Sequence, residues 1–373
     1  MGPREIELQK TSKLLILNFV VILAIGITMV YSSSYLFGKE NFGSSTFFVS
    51  NQLIFLVMGI VMAFVVSQTK FDFWLKYGSY IHYFFLFLLI LTLFPKIGLS
   101  VKGAKRWIHL FHITLQPGEM IKYTLIFCCL PYFEQFNQLT VRERVLYAIP
   151  ILMPLGILIK QPDFGTFFVC FMVIFFVCYM SSFSRKYFYG LLIFGGFSIT
   201  GALFLKSYRI LRLLSFLDPW KNPKTSGFQI IQSYLGFANG GIFGQGIGNS
   251  NEKLFYLPEA HNDFILSVIG EELGFLGVSS IIFLYLFLVY LGFKLAMKLN
   301  SKWGMILVST IIFTIGLQAV LNMAVVLGLL PTKGLNLPLI SYGGSSLISN
   351  FFAIGLIFSA VKNTLKLEDK VYT

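Results

Sequence analysis

Apolar runs of about 20 residues recur along this chain, the length a helix needs to cross a hydrocarbon core of roughly 30 Å. A run such as LLILNFVVILAIGITMVY is continuous and lacks the period-2 alternation of a β-barrel strand. The pattern predicts an all-α integral membrane protein of about ten transmembrane helices, at 13–34, 46–67, 75–95, 119–135, 145–160, 164–182, 187–206, 271–297, 303–328 and 345–363. The first run follows a basic leader but is too long for a signal-peptide core. No small-residue cleavage site stands ahead of SSSYLFGKE, so it reads as a retained span.

An even number of spans puts both termini on one side. Basic residues divide almost evenly between the two faces, but on the side of the termini they crowd short segments: Arg4, Lys10 and Lys13; Lys70 and Lys76; Arg142 and Arg144; Arg185 and Lys186; Lys294, Lys298 and Lys302; Lys362, Lys366 and Lys370. The positive-inside rule weights short loops most, so both termini are expected in the cytoplasm. On the opposite face the basic residues gather in three loops, 96–118, 207–270 and 329–344. That is more charge than insertion requires and points to an anionic partner. With no internal repeat or soluble domain evident, residues 1–373 read as one membrane domain. Its large extracytoplasmic loop between helices 7 and 8, at 207–270, is the candidate catalytic region, too long to lack a role and too aromatic to be disordered.

Composition narrows the class further. The 373 residues are 56% hydrophobic and 12% charged, with a mean hydropathy of +0.77, which excludes a soluble globular domain. Cys128, Cys129, Cys170 and Cys178 all fall in apolar runs and read as small buried hydrophobes. The four histidines form no H-E-x-x-H and have no cysteine at metal-ligand spacing, so no zinc site is expected. A net charge of +13 is assigned to membrane lipids and an anionic substrate, with no nucleic-acid partner.

Candidate chemistry lies in the outer loops. Arg209 and Arg212, three apart, share one face of a helical turn and with Lys253 can grip a phosphate or pyrophosphate, although snorkelling to the interface explains the same spacing. GGIFGQGIG has no strand before it and no GK[ST] after it, so it reads as a close-packed turn rather than a nucleotide loop. Asp263, in EAHNDF at the entrance of a span, is an ionisable group where such groups are expensive, and so a catalytic candidate; the alternative is a helix cap, with Glu271 and Glu272 favouring a helix N-terminus. Lys333 and Ser341 stand in the Gly- and Pro-rich loop 329–344, and Lys102, Lys105, Arg106 and Trp107 form an interfacial cluster in the first.

Taken in order, KGAKRWI with QPGEMIK, QPDFGT, YRILRLLSFLDPW, GFQIIQS, GGIFGQGIGNSNEK, YLPEAHNDF with GEELGFLG, and GLLPTKGLNLPLISYGGSS resemble the FtsW/RodA/SpoVE family over nearly the whole chain. PEAH, GEELG and PTKG lean toward its division and sporulation members over RodA. Gly118 where QPSE is usual, and Asn262 where HTDF is usual, depart from the pattern. The resemblance implies polymerisation of lipid II into β-1,4-linked glycan on the outer face of the bacterial cytoplasmic membrane, with Asp263 as the essential acid. It implies Arg209, Arg212, Lys253, Glu259, His261, Lys333 and Ser341 as the substrate-binding set. It further implies a class B penicillin-binding transpeptidase and other division proteins as partners, a location at the division septum, and a divalent cation, Mg or Mn, as the only cofactor considered. A lipid II flippase and a non-catalytic scaffold are the alternatives.

Overall fold

The computed structural model describes residues 2–94, 98–101, 104–110, 113–204, 216–223, 227–250, 260–331 and 334–372. The helices are α1 (Pro3–Phe42), α2 (Phe47–Gln68), α3 (Phe71–Leu91), α4 (Pro117–Thr124), α5 (Ile126–Gln135), α6 (Val141–Lys160), α7 (Phe164–Met180), α8 (Arg185–Phe204), α9 (Phe228–Gly240), α10 (Ile265–Ala296), α11 (Lys302–Val326) and α12 (Gly344–Tyr372). Among the described residues, six are long and apolar enough to cross a bilayer: α1, α2, α3, α10, α11 and α12. Every expected span coincides with a helix or, at 119–135, a pair of helices, and those beyond the six are shorter, broken or less apolar.

Burial sorts the spans. The apolar windows of α11 and α12 are 78% and 83% buried against 17% for α2, so the first two form the centre of the bundle and α2 faces lipid. Glycines let backbones close in where no hydrophobic effect drives helices together. A Cβ on Gly355 of α12 would meet the Val66 side chain and the Ala63 carbonyl of α2, and one on Gly59 of α2 would meet the Phe351 ring.

Prolines explain a polar seam between α3, α5 and α6. Pro131 and Pro154 lack the N–H that would bond the carbonyls of Phe127 and Pro150. Two α3 side chains replace it: Ser79 donates to Phe127 O at 3.3 Å, and the His82 ring reaches Pro150 O at 3.0 Å through Nε2, with Thr124 at 3.1 Å from Nδ1. His82 is thus a satisfied structural histidine. The four cysteines are buried and free, as small hydrophobes would be.

The two chain ends share one end of the bundle. Lys294 and Lys298 of α10 hold Glu7 at 3.2 and 2.6 Å, Phe71 lies 3.6 Å from the Cβ position of Gly304, and Lys362 donates to Gln68 at 2.9 Å.

The opposite end carries the departures from a plain helical reading. Loop 96–118 holds a three-stranded antiparallel meander of β1 (Gly98–Val101), β2 (Ala104–Leu110) and β3 (Ile113–Leu115). It is too short for a periodicity signal, but Ile108 gives it a buried anchor. Loop 207–270 contains α9. Its glycine-dense run is the tight turn expected: Gly241, Gly244, Gly246 and Gly248 have positive φ, and a Cβ on Gly244 would fall 2.2 Å from Glu272 O. Residues 241–246 pair backbone to backbone with α10, Gln245 and Gly246 donating to Glu271 O and Glu272 O, and Phe275 and Leu276 donating to Gly241 O and Ile242 O. Gly274, at φ 67°, kinks α10 to allow this. Glu271 and Glu272 stand just ahead of the kink, fully buried, and accept from Ser250 and Ser32.

Candidate active site

Four segments distant in sequence meet at this end: β2, the connection between α6 and α7, the segment ahead of α10 and the loop after α11. Their assembly starts from polar side chains buried on the central helices, tolerated there because their donors are spent on loop carbonyls. Asn322 of α11 donates from Nδ2 to Asp263 O at 2.8 Å and to Leu335 O at 2.6 Å, stapling the segment before α10 to the segment after α11. Ser341 is the second staple. Its hydroxyl donates to Asn262 O at 2.7 Å and accepts from Leu337 N at 2.8 Å, while Tyr342 N donates to His261 O at 3.0 Å. Gln318 donates to Asn336 O at 3.0 Å, and its own carbonyl accepts from Lys122 at 2.6 Å. Lys122 also pairs with Glu119 at 2.7 Å, so an ion pair at the head of α4 is tied through α11 into the same loop.

Held by its backbone, Asp263 points its carboxylate at Gly334. A Cβ built there would stand 3.3 Å from Asp263 Oδ2 and 3.7 Å from Arg106 Nη1, so the carboxylate and the guanidinium flank one point. Arg106 arrives from β2 and is fixed by Pro162 O at 2.5 Å and by Asp163 at 3.7 Å. Asp163 in turn caps α7, accepting from Thr166 N at 3.3 Å and Thr166 Oγ1 at 3.0 Å, and accepts from Gln116 at 3.3 Å. Burial lifts the Asp163 carboxyl above the usual carboxylate range, with the Arg106 guanidinium and Thr166 pulling the other way.

Of the residues singled out by sequence, Asp263, His261 and Ser341 come together here. The His261 ring packs half-buried against Phe37, Phe48 and Tyr342. Arg209, Arg212, Lys253, Glu259 and Lys333 lie outside the described residues. Sequence reasoning did not single out the Arg106–Asp163 pair. Its signal was an acid ahead of the apolar run of α7, in QPDFGT, together with an arginine within a cluster read as interfacial.

Geometry of this kind offers a base beside a fixed cation. Among the described residues no three His, Cys, Asp or Glu side chains converge as a metal cage. The Asp263 carboxylate is a hard oxygen donor of the kind that Mg or Mn takes together with water and phosphate oxygens.

Comparison with known proteins places the chain. The FtsW/RodA/SpoVE family model, described as cell cycle protein, matches residues 12–366. A probable peptidoglycan glycosyltransferase FtsW of Trichlorobacter lovleyi is 40% identical over 354 residues, 92% of this chain and 91% of the relative. That of Coxiella burnetii is 37% identical over 351 residues, 92% of this chain and 94% of the relative. Among solved structures, a chain from work described as structural coordination of polymerization and crosslinking by a peptidoglycan synthase complex superposes with a TM-score of 0.75 at 28% identity, covering 94% of this chain and 97% of the other. The rod shape determining protein RodA of Thermus thermophilus shares the fold, with a TM-score of 0.68 at 24% identity, covering 94% of this chain and 96% of the other.

Proposed function

The chain belongs to the FtsW/RodA/SpoVE family of cell cycle proteins, and from that premise we propose that it is a peptidoglycan glycosyltransferase polymerising lipid II into β-1,4-linked glycan. The observation that carries the site assignment is the convergence of the Asp263 carboxylate and the Arg106 guanidinium on Gly334. Asp263 accepts the proton of the acceptor 4-hydroxyl as that oxygen bonds to the donor's anomeric carbon. The bond from that carbon to the pyrophosphate breaks, its electron pair leaves with the lipid pyrophosphate, and α linkage inverts to β.

Developing negative charge on the leaving group is met by Arg106, whose position Asp163 and Pro162 O fix beforehand, so little reorganisation is needed. Arg209, Arg212, Lys253 and Lys333 are proposed to extend this cationic cradle, with Glu259 and His261 on the substrate. Ser341, its hydroxyl already donating to Asn262 O and accepting from Leu337 N, is proposed to position the loop. A divalent cation, Mg or Mn, held by Asp263 and the substrate's own phosphates, would supply further charge neutralisation to the pyrophosphate.

The reaction belongs on the outer face. Supporting this, the site end is opposite the end that holds both termini and the short basic segments, which the positive-inside rule puts in the cytoplasm. A class B penicillin-binding transpeptidase is the proposed partner, in line with the peptidoglycan synthase complex that the fold matches, and the division septum is the proposed location.

The test is glycan synthesis from purified lipid II by the protein reconstituted with its transpeptidase, comparing wild type with Asp263→Ala and Asp263→Asn at matched folding. Both variants are expected to bind lipid II and make no polymer. Undiminished polymer from either removes Asp263 as the base, and lipid II translocation without polymer from wild type would establish the flippase reading instead.

A further inference from the structure

A groove of about 630 Å³ runs along the outside of the bundle between α5 and α6, at the end that holds the termini and far from Asp263. Its walls are Tyr132 and Phe136 on one side and Val145, Ala148, Ile149, Leu152 and Met153 on the other, with Arg144 at its mouth. Arg144 is held there in a fixed pose. Its Nε donates to Phe136 O at 3.1 Å, and the guanidinium lies 4.4 Å from the centre of the Phe136 ring. The terminal nitrogens make no hydrogen bond among the described residues, and Tyr132 lines the same groove.

Length decides what the groove suits. From Arg144 to Met153 is nine helical steps, about 14 Å at 1.5 Å per residue, close to half of a hydrocarbon core of roughly 30 Å. The groove therefore begins at the first turn of α6, where the capping Thr140 and Glu143 mark the interface, and ends near the bilayer midplane. Its lining below Arg144 is apolar, and Val145, Ile149 and Leu152 are all at least half exposed to whatever surrounds the bundle.

We infer that this groove is a binding site for an anionic phospholipid of the leaflet on the side of the termini. One acyl chain lies along Val145, Ile149, Leu152 and Met153, and the headgroup phosphate is gripped by the free guanidinium nitrogens of Arg144 with the Tyr132 hydroxyl beside it. A planar guanidinium held by Nε has little rotamer freedom left to lose when its outer edge takes a phosphate. Free phosphate fits poorly, because nothing in such a ligand would fill the apolar length. Arg142, exposed two residues away and not lining the groove, serves as an internal control.

The experiment is native mass spectrometry of the purified full chain from nanodiscs holding equal phosphatidylglycerol and phosphatidylcholine, with and without excess sn-glycerol 3-phosphate. Wild type is expected to retain phosphatidylglycerol over phosphatidylcholine by about tenfold, the size of one charge-assisted contact. Arg144→Ala should bring the two to parity, Arg144→Lys should keep part of the preference, and Arg142→Ala should keep all of it. Ile149→Trp, which fills the groove without touching the charge, should lower retention of both lipids. An unchanged preference in Arg144→Ala, an equal loss in Arg142→Ala, or displacement by glycerol phosphate would each overturn the assignment, the last by showing that a soluble phosphate suffices.

Discussion

Gly334 offers the sharpest test of the site, because a single methyl group probes the space between its two charged members. A Cβ there would be 3.3 Å from Asp263 Oδ2 and 3.7 Å from Arg106 Nη1. Neither is a hard clash, and Gly334 is not among the positive-φ glycines, so alanine costs no backbone strain. The carboxylate must yield by a few tenths of an ångström. Misplacement by about 1 Å costs on the order of a hundredfold in rate, so a third of that displacement predicts a loss of roughly fivefold, near 1 kcal/mol in the barrier. Lipid II polymerisation by Gly334→Ala should fall by that factor in kcat with KM little changed, while thermal unfolding in detergent stays within about 2 °C of wild type. Gly26→Ala is the contrast: its Cβ would meet Leu339 O at 2.5 Å and Ile340 Cα at 2.8 Å, backbone that has no room to move, so this variant should lose folded yield first. A Gly334→Ala protein that is folded and fully active would refute the view that Asp263 and Arg106 border the reacting space.

Other consequences are measurable in the same system. Arg106→Lys keeps the charge but loses the planar fork between Pro162 O and Asp163, and should lower polymer synthesis at least tenfold while lipid II binding survives. Lys122→Met leaves Glu119 buried and uncompensated and should destabilise by about 3–5 kcal/mol; adding Glu119→Gln should restore most of it, read by thermal unfolding. Ser341→Ala strands the buried Leu337 N–H and should cost about 1–3 kcal/mol together with activity, whereas a substrate-contact role alone would leave unfolding unchanged. Chelation with EDTA should slow synthesis without altering unfolding; a chelator-insensitive rate would remove the proposed cation.

Some of this was legible in the chain and some was not, for physical reasons. Continuous apolar runs announce membrane helices because lipid demands internally bonded backbone, and the bundle followed from them. Asp263 stood out as a candidate because an acid at the entrance of a span is expensive, and its carboxylate lies beside Gly334 with Arg106. Helix ends were less legible: α1 starts ten residues before the expected span because its first turns are docked by Glu7 on Lys294 and Lys298, contacts made with a helix distant in sequence. The Arg106–Asp163 pair was invisible as a pair. Its members are joined only by the meander and the turn at Pro162, and a short strand such as β2 leaves no period to read.

Polar residues within the spans have a reading that hydropathy alone would not supply. In a transporter they would line a path through the midplane. Here Gln52, Gln318 and Asn322 instead give their side chains to loop backbone, at Ser341 O, Asn336 O and the carbonyls of Asp263 and Leu335, and Ser341 of the loop itself adds a bond to Asn262 O. These bonds act beside the apolar anchors of the same loop, Leu335, Leu337, Leu339 and Ile340, which are buried, and add the direction that apolar packing alone does not specify. The cost of placing amides in the bundle is offset by the carbonyls they satisfy, and the same bonds fix the height and direction of Asp263. Polar groups near one end of such a bundle therefore mark the scaffold of an interfacial active site, and replacing any one of them should disturb the site before it disturbs the membrane helices.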